Sequence, residues 1–77
     1  MKLNHDRELD LSGLMCPMPL LKAKLALNNM GSKQILKVIA TDPSSEKDFH
    51  LFVDQSDHQI LDFQKGEAAY IYWIRKG

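Results

Sequence analysis

Residues 12–24 read SGLMCPMPLLKAK and connect a predicted first strand to a predicted first helix. Cys16 directly precedes Pro17, Pro19 follows two positions later, and an apolar run continues the segment. A residue before proline is disfavoured in helical backbone, whereas the first turn of a helix tolerates proline because its N–H groups have no helical partners. We therefore expect a helix that begins at Pro17, with Cys16 as its N-cap.

The elements on either side of this segment are also marked in the sequence. Residues 7–13 alternate polar and apolar side chains and end at Gly13, which predicts a short strand. The first helix is predicted to reach Met30, because Gly31 follows the last periodic apolar residue and glycine is common just after a helix.

The second half of the chain predicts one more helix and three more strands. Asp42 and Pro43 are typical of the cap and the first residue of a helix. β-Branched residues mark the strand before that helix, and the short gap between the last two strands predicts a hairpin. The predicted ranges are 34–42 for the second strand, 43–55 for the second helix, and 58–65 and 68–76 for the last two strands.

This pattern predicts an α+β fold with the order βαβαββ, formed by one domain over residues 1–77. Two helices cannot cover both faces of a four-stranded sheet, so we expect a two-layer α/β sandwich with both helices on one face. A right-handed crossover makes the first two strands parallel if they pair, whereas the hairpin strands are antiparallel. The four-stranded sheet is therefore predicted to be mixed.

Composition argues against several classes of protein. Ten basic and ten acidic residues leave no net charge to attract nucleic acid or an anionic membrane. Apolar stretches stay shorter than the roughly 18 residues of a membrane span, and the first residues lack a secretory signal pattern. A single cysteine suits a reducing compartment. We expect a cytoplasmic protein that binds neither membranes nor nucleic acid directly.

The position of Cys16 predicts a reactive thiol. The sulfur of an N-cap cysteine lies at the positive end of the helix dipole, which is expected to lower the pKa of the thiol. The two prolines remove nearby donors and leave mainly the Met18 N–H for the sulfur, but they also fix the backbone of Cys16. The alternative interpretation is an inert cysteine that packs as a small apolar residue.

The first helix carries two apolar arcs when its sequence is wound at about 100° per residue. The wider arc contains small residues and is predicted to pack on the sheet; it comprises Leu20, Ala23, Ala26, Leu27 and Met30. The second arc, beside Cys16, is predicted to be exposed and comprises Met18, Leu21 and Leu25, with Met15 as a possible addition. Such a strip is either a docking surface for a partner or ordinary exposed surface.

Basic residues are candidates for the rim of that strip. Lys22 and Lys24 lie more than a turn beyond Cys16 and either raise the local positive potential or are simply solvated. Arg75, near the end of the chain, would join this rim if the last strand ended near the start of the first helix.

GLMCPMP at residues 13–19, a DP pair at 42–43 and a closing IRKG together resemble the TusA/SirA family of small sulfur-carrier proteins. The resemblance covers nearly the whole chain. It implies a βαβαββ sandwich in which the motif cysteine, here Cys16, accepts sulfane sulfur as a persulfide. The donor would be a cysteine desulfurase, and the sulfur would pass to an acceptor protein in a relay.

The same resemblance implies further roles. Gly13, Pro17 and Pro19 would shape the motif around the cysteine. One branch of the family leads to 2-thiolation of tRNA, whereas related members serve other sulfur or selenium pathways. A sulfurtransferase-like carrier needs only one cysteine, because a second nearby thiol would discharge the persulfide as sulfide. The absence of a C-x-x-C pair therefore favours a carrier over a thioredoxin-type reductase.

Other functions receive less support from the sequence. The three histidines lack metal-ligand spacing with the cysteine, so neither a metal nor another cofactor is expected. The main alternative is a small RNA-binding or regulatory interaction module that uses the open face of the sheet. Tyr70, Tyr72 and Trp73 lie on the predicted last strand, where aromatic side chains could stack on bases. Because Trp73 points away from the two tyrosines, at least one of these sets is expected in the core.

Overall fold

The computed structural model describes residues 4–77. Its elements follow the predicted order: β1 Arg7–Leu11, α1 Met18–Asn28, β2 Ile35–Ala40, α2 Ser45–Asp54, β3 Gln59–Lys65 and β4 Tyr70–Arg75. The α+β class and the βαβαββ arrangement are confirmed. Within residues 4–77, neither helix has the length and hydropathy that crossing a membrane requires.

The four strands form one mixed sheet in the order β1-β2-β4-β3. β1 and β2 are parallel, whereas β4 is antiparallel to both β2 and β3. The register places Leu11, Ala40 and Tyr70 side by side at one end of the sheet. We call this the motif end, because the loops that lead into both helices leave the sheet there.

Both helices cover one face of the sheet and enclose the core. The predicted inner arc of α1 is confirmed: Ala23, Ala26, Leu27 and Met30 are buried, and Leu20 packs against them partly buried. Alternate residues of the two central strands, β2 and β4, form the sheet side of the core; these are Leu36, Val38, Ala40, Tyr72 and Ile74. Each large apolar side chain buried there contributes about 1.5–3 kcal/mol to stability.

Both helices begin later than the sequence predicts. α1 starts at Met18 with Pro17 as its N-cap, so Cys16 lies one residue before the cap. α2 starts at Ser45 with Ser44 as its N-cap, so Asp42 does not cap it. In both cases the predicted cap forms hydrogen bonds with the neighbouring loop, which sequence spacing does not reveal.

Candidate functional site

Cys16 lies in an exposed loop at the motif end, between β1 and α1. The loop leaves β1 through Gly13, whose φ of +83° is a conformation that favours glycine. The Gly13 N–H donates to Thr41 Oγ1 at 2.8 Å. The loop then turns toward α1, and the Met18 N–H donates to the Met15 carbonyl at 2.9 Å. The cysteine is thus presented to solvent from a hydrogen-bonded loop.

The side chain of Asp42 anchors this loop to the segment before α2. Asp42 is only 4% exposed, and its Oδ2 accepts the Cys16 N–H at 2.7 Å. Its Oδ1 accepts the Ser44 N–H at 3.1 Å. One buried carboxylate therefore fixes both the backbone of the cysteine and the turn that leads into the second helix.

The thiol of Cys16 faces α2 as well. Cys16 Sγ donates to Asp48 Oδ2 at 3.3 Å. This hydrogen bond is the main cause that raises the pKa of the Cys16 thiol, with smaller contributions from desolvation and from the negative charges of Asp48 and Asp42. In the described conformation the sulfur is therefore held as a protonated thiol.

The predicted lowering of the Cys16 pKa is wrong. The prediction assumed that Cys16 is the N-cap of α1 and that the Met18 N–H points at the sulfur. In the structure Pro17 is the N-cap, and the Met18 N–H is occupied by the Met15 carbonyl. The nearest charges are carboxylates, and they favour the neutral form of the thiol.

An exposed apolar strip begins next to Cys16 at Met15 and continues along α1. We call it the α1 strip; it comprises Met15, Met18, Leu21 and Leu25, whose exposed fractions range from 41% to 67%. The exposure predicted for the outer arc of α1 is thereby confirmed. Leu51, on α2, is also an exposed large apolar residue, and its exposure was not predicted from the sequence.

Sequence comparison with known proteins shows which family this chain belongs to. The family model described as "Sulfurtransferase TusA" matches residues 7–76. The chain belongs to the TusA family. A protein named "Sulfur carrier protein TusA" from Allochromatium vinosum is 46% identical to it over 73 residues, covering 95% of this chain and 96% of that one. A protein of the same name from Pseudomonas entomophila is 40% identical over 74 residues, covering 96% and 92%.

The fold is shared with a solved structure as well. A SirA-like protein from Desulfitobacterium hafniense superposes with a TM-score of 0.81, covering 94% of this chain and 99% of that one. Its sequence is 22% identical, so this likeness concerns the fold alone. The predicted resemblance to the TusA/SirA family is confirmed.

Lys22 and Lys24, the two lysines of α1, lie on different sides of that helix. Lys24 lines a groove of about 150 Å³ between α1 and α2, together with Asp48 and Phe52. Its Nζ is 5.2 Å from the centroid of the Phe52 ring, a cation–π distance. Lys22 lines a separate groove next to Arg7 on the other side of α1.

Arg75 lies far from the loop that carries Cys16. In the sheet register it pairs with Ile35, at the end opposite Cys16, and its Nη2 donates to Gln59 Oε1 at 2.6 Å. The adjacent Lys76 donates from Nζ to the Met30 carbonyl at 2.7 Å, near the last turn of α1. The last strand therefore ends near the end of the first helix, and the predicted basic rim does not include Arg75.

The aromatic residues of β4 do not form the platform that the RNA-binding alternative requires. Tyr72 is buried on the helix side and stacks on Phe49, with 4.7 Å between ring centroids. Tyr70 faces the same side and packs against the core. Trp73 faces the open side but is only 6% exposed, and Lys37 Nζ lies 5.6 Å from its ring centroid.

Sequence reasoning missed two acidic residues of this TusA-family site. Asp42 was interpreted only as a helix cap, and Asp48 was not singled out. Their contacts with Cys16 span 26 and 32 positions in the chain. The available signal was indirect: parallel pairing of the first two strands brings the ends of both strands, and the loops that follow them, to one end of the sheet.

Proposed function

We propose that this protein is a sulfur carrier that accepts sulfane sulfur on Cys16 as a persulfide from a cysteine desulfurase. It then passes that sulfur to an acceptor protein. The observation that carries the proposal is the exposed thiol of Cys16 on a hydrogen-bonded loop, in a chain of the TusA family. The name of the relatives, sulfur carrier protein, supports the same role.

Loading of Cys16 is a thiol exchange that balances without an external oxidant. Cys16 loses its proton to solvent and attacks the outer sulfur of the donor's persulfide as a thiolate. A new S–S bond forms on Cys16, the donor's S–S bond breaks, and the donor cysteine leaves as a thiolate. The transferred sulfur keeps its oxidation state.

Discharge repeats the same chemistry in the opposite sense. A thiolate of the acceptor attacks the outer sulfur of the Cys16 persulfide, and Cys16 leaves as the thiolate. No second cysteine exists in the chain to intercept the persulfide as an internal disulfide. The stored sulfur is therefore available only to thiols that come from outside.

The α1 strip is the proposed contact surface for donor and acceptor. Its exposed methionines and leucines extend from the cysteine loop along α1, and methionine adapts its shape to different partners. Lys22 and Lys24, on either flank of α1, would supply polar contacts. Arg75 has no part in this surface, because it lies at the other end of the sheet.

The proposed setting is the cytoplasm, where a persulfide relay and a lone free thiol remain reduced. The proposed end product is 2-thiouridine in tRNA, as the resemblance to the TusA branch implies. Another sulfur-containing product is the competing outcome, and measurement of tRNA 2-thiouridine in cells lacking this protein distinguishes the two.

The test of sulfur loading is an intact-mass measurement. Purified protein is incubated with a cysteine desulfurase and cysteine, with and without prior alkylation. We expect a gain of one sulfur atom that dithiothreitol removes and that alkylation or Cys16→Ser abolishes. Circular dichroism should show the serine variant folded, because Cys16 is exposed. Equal loading of the Cys16→Ser variant would refute the proposal.

A further inference from the structure

Asp48 is a carboxylate next to the thiol that the proposed reaction does not use. It is partly buried on α2, and its Oδ2 accepts the thiol hydrogen of Cys16. Within residues 4–77, no lysine, arginine or histidine forms a salt bridge with Asp48. Lys24 lines the same groove, but its Nζ lies over the Phe52 ring. Among residues 4–77, the charge of Asp48 thus acts on the thiol without a salt-bridge partner of its own.

We propose that Asp48 is a positioning residue for Cys16 that restrains the thiol in the unloaded protein. Its carboxylate holds the thiol hydrogen and turns the sulfur toward α2, so that Cys16 is a weak nucleophile until a partner breaks this contact. The inference deepens the proposed sulfur-carrier function and rests on it for its biological meaning, although the restraint itself can be measured without any partner.

The charges that face the thiol support this role. Asp48 approaches from α2 and Asp42 from the segment before it, and both favour the protonated sulfur. Lys22 and Lys24 are the basic residues of α1, and neither figures among the groups that shift the pKa of Cys16. A thiolate formed in this conformation would therefore meet the negative charges of Asp42 and Asp48.

The anchor of the cysteine backbone does not depend on Asp48. The Cys16 N–H donates to Asp42, and only the side chain of Cys16 contacts Asp48. Replacing Asp48 with asparagine removes the charge and keeps both the size of the side chain and a carbonyl oxygen. Asp48→Asn therefore tests the restraint on the sulfur while the loop keeps its backbone hydrogen bond.

The experiment measures how fast the protein reacts with a neutral pyridyl disulfide as a function of pH. In Asp48→Asn we expect the midpoint of the rate profile to move to lower pH. Nucleophilicity falls as the thiol pKa falls, so two opposite changes in rate should accompany this movement. If the midpoint falls by about one pH unit, the rate below the midpoint should rise about threefold and the plateau at high pH should drop about threefold. A merely structural role would produce neither change.

Two variants serve as controls. Asp62→Asn makes the same change in net charge on β3, where the carboxylate accepts the Phe63 N–H, and it should leave the profile unchanged. Asp48→Glu keeps a carboxylate and should keep the midpoint close to that of the wild type. Equal midpoints in wild type and Asp48→Asn would overturn the proposal.

The wild-type protein gives a second test that needs no variant. The midpoint of its folded form should lie at higher pH than that of the synthetic peptide SGLMCPMPLLKAK, which has no Asp48. Equal midpoints for protein and peptide would overturn the restraint. This reaction needs no sulfur donor. A higher midpoint in a protein that fails to load sulfur would therefore refute the proposed function and leave the role of Asp48 standing.

Discussion

At the scale of single residues, two hydrogen bonds from backbone N–H groups to side-chain oxygens fix the loop that carries the thiol. The Gly13 N–H donates to the Thr41 side chain, and the Cys16 N–H donates to the Asp42 side chain. Thr41 and Asp42 directly follow β2, so consecutive residues hold both ends of the cysteine loop. A hydrogen bond to a charged acceptor contributes about 1.5–3 kcal/mol, which makes the Asp42 contact the stronger of the two.

Gly13→Ala is expected to lower the free energy of unfolding by about 1–2 kcal/mol, because an L side chain disfavours a left-handed backbone. The strain arises from the φ of +83° alone, since a Cβ at this position meets no atom within 4 Å. Gly31→Ala is the matched control: its Cβ meets Gln34 at an ordinary 3.6 Å, and its φ lies outside the strained range. Urea denaturation of both variants checks this, and equal losses would contradict it.

At the scale of the secondary-structure elements, the two faces of α1 have different roles: one packs in the core and the other is exposed. Its inner face consists of small and medium apolar residues and packs on the sheet. Its outer face leaves Leu21 and Leu25 exposed. Substitutions on the outer face should therefore change binding without changing the core.

The double variant Leu21→Gln, Leu25→Gln is expected to weaken the affinity for a cysteine desulfurase at least about tenfold. Each leucine buried at an interface contributes about 1.5–3 kcal/mol, and about 1.4 kcal/mol corresponds to a factor of ten. Isothermal titration calorimetry measures the affinity, with Asn28→Gln on α1 as the control. The rate of reaction with the pyridyl disulfide should stay unchanged. Wild-type affinity would exclude Leu21 and Leu25 from the interface.

The sequence predicts the elements well and the site only in part. The two faces of α1 follow from local periodicity, so its buried and exposed residues could be assigned from spacing alone. The pKa of Cys16 could not, because Asp48 lies 32 positions away and only the packed fold brings it to the sulfur. For the same reason, Asp42 was predicted to cap α2, whereas its oxygens accept N–H groups of the loop and the turn.

At the scale of the whole molecule, the sheet order separates a reactive end from an anchoring end. The motif end carries Cys16, Asp42 and Asp48. At the other end, Lys76 pairs with the segment before β2, and the Gly77 N–H donates to His58 Nδ1 at 3.1 Å. Burial and the nearby charge of Lys76 lower the pKa of His58, with Asp57 acting in the opposite direction.

This lowered pKa predicts a stability that depends on pH. His58 binds protons more weakly in the folded state than in the unfolded state. Its contribution to the free energy of unfolding is therefore present above pH 6.5 and is lost as the pH falls through the folded pKa. Urea midpoints measured between about pH 7.5 and 5.5 should therefore fall in the wild type and fall less in His58→Gln. Parallel curves for the two proteins would contradict this.

The placement of the chain's flanking segments has a practical consequence. The Asp6 N–H donates to the Ile35 carbonyl and the Lys76 N–H to the Gln34 carbonyl, so Asp6 and Lys76 both lie at the end of the sheet opposite Cys16. A tether attached through either one would orient the thiol away from a support. Immobilised molecules would then meet incoming proteins in a uniform orientation, with the sulfur outermost.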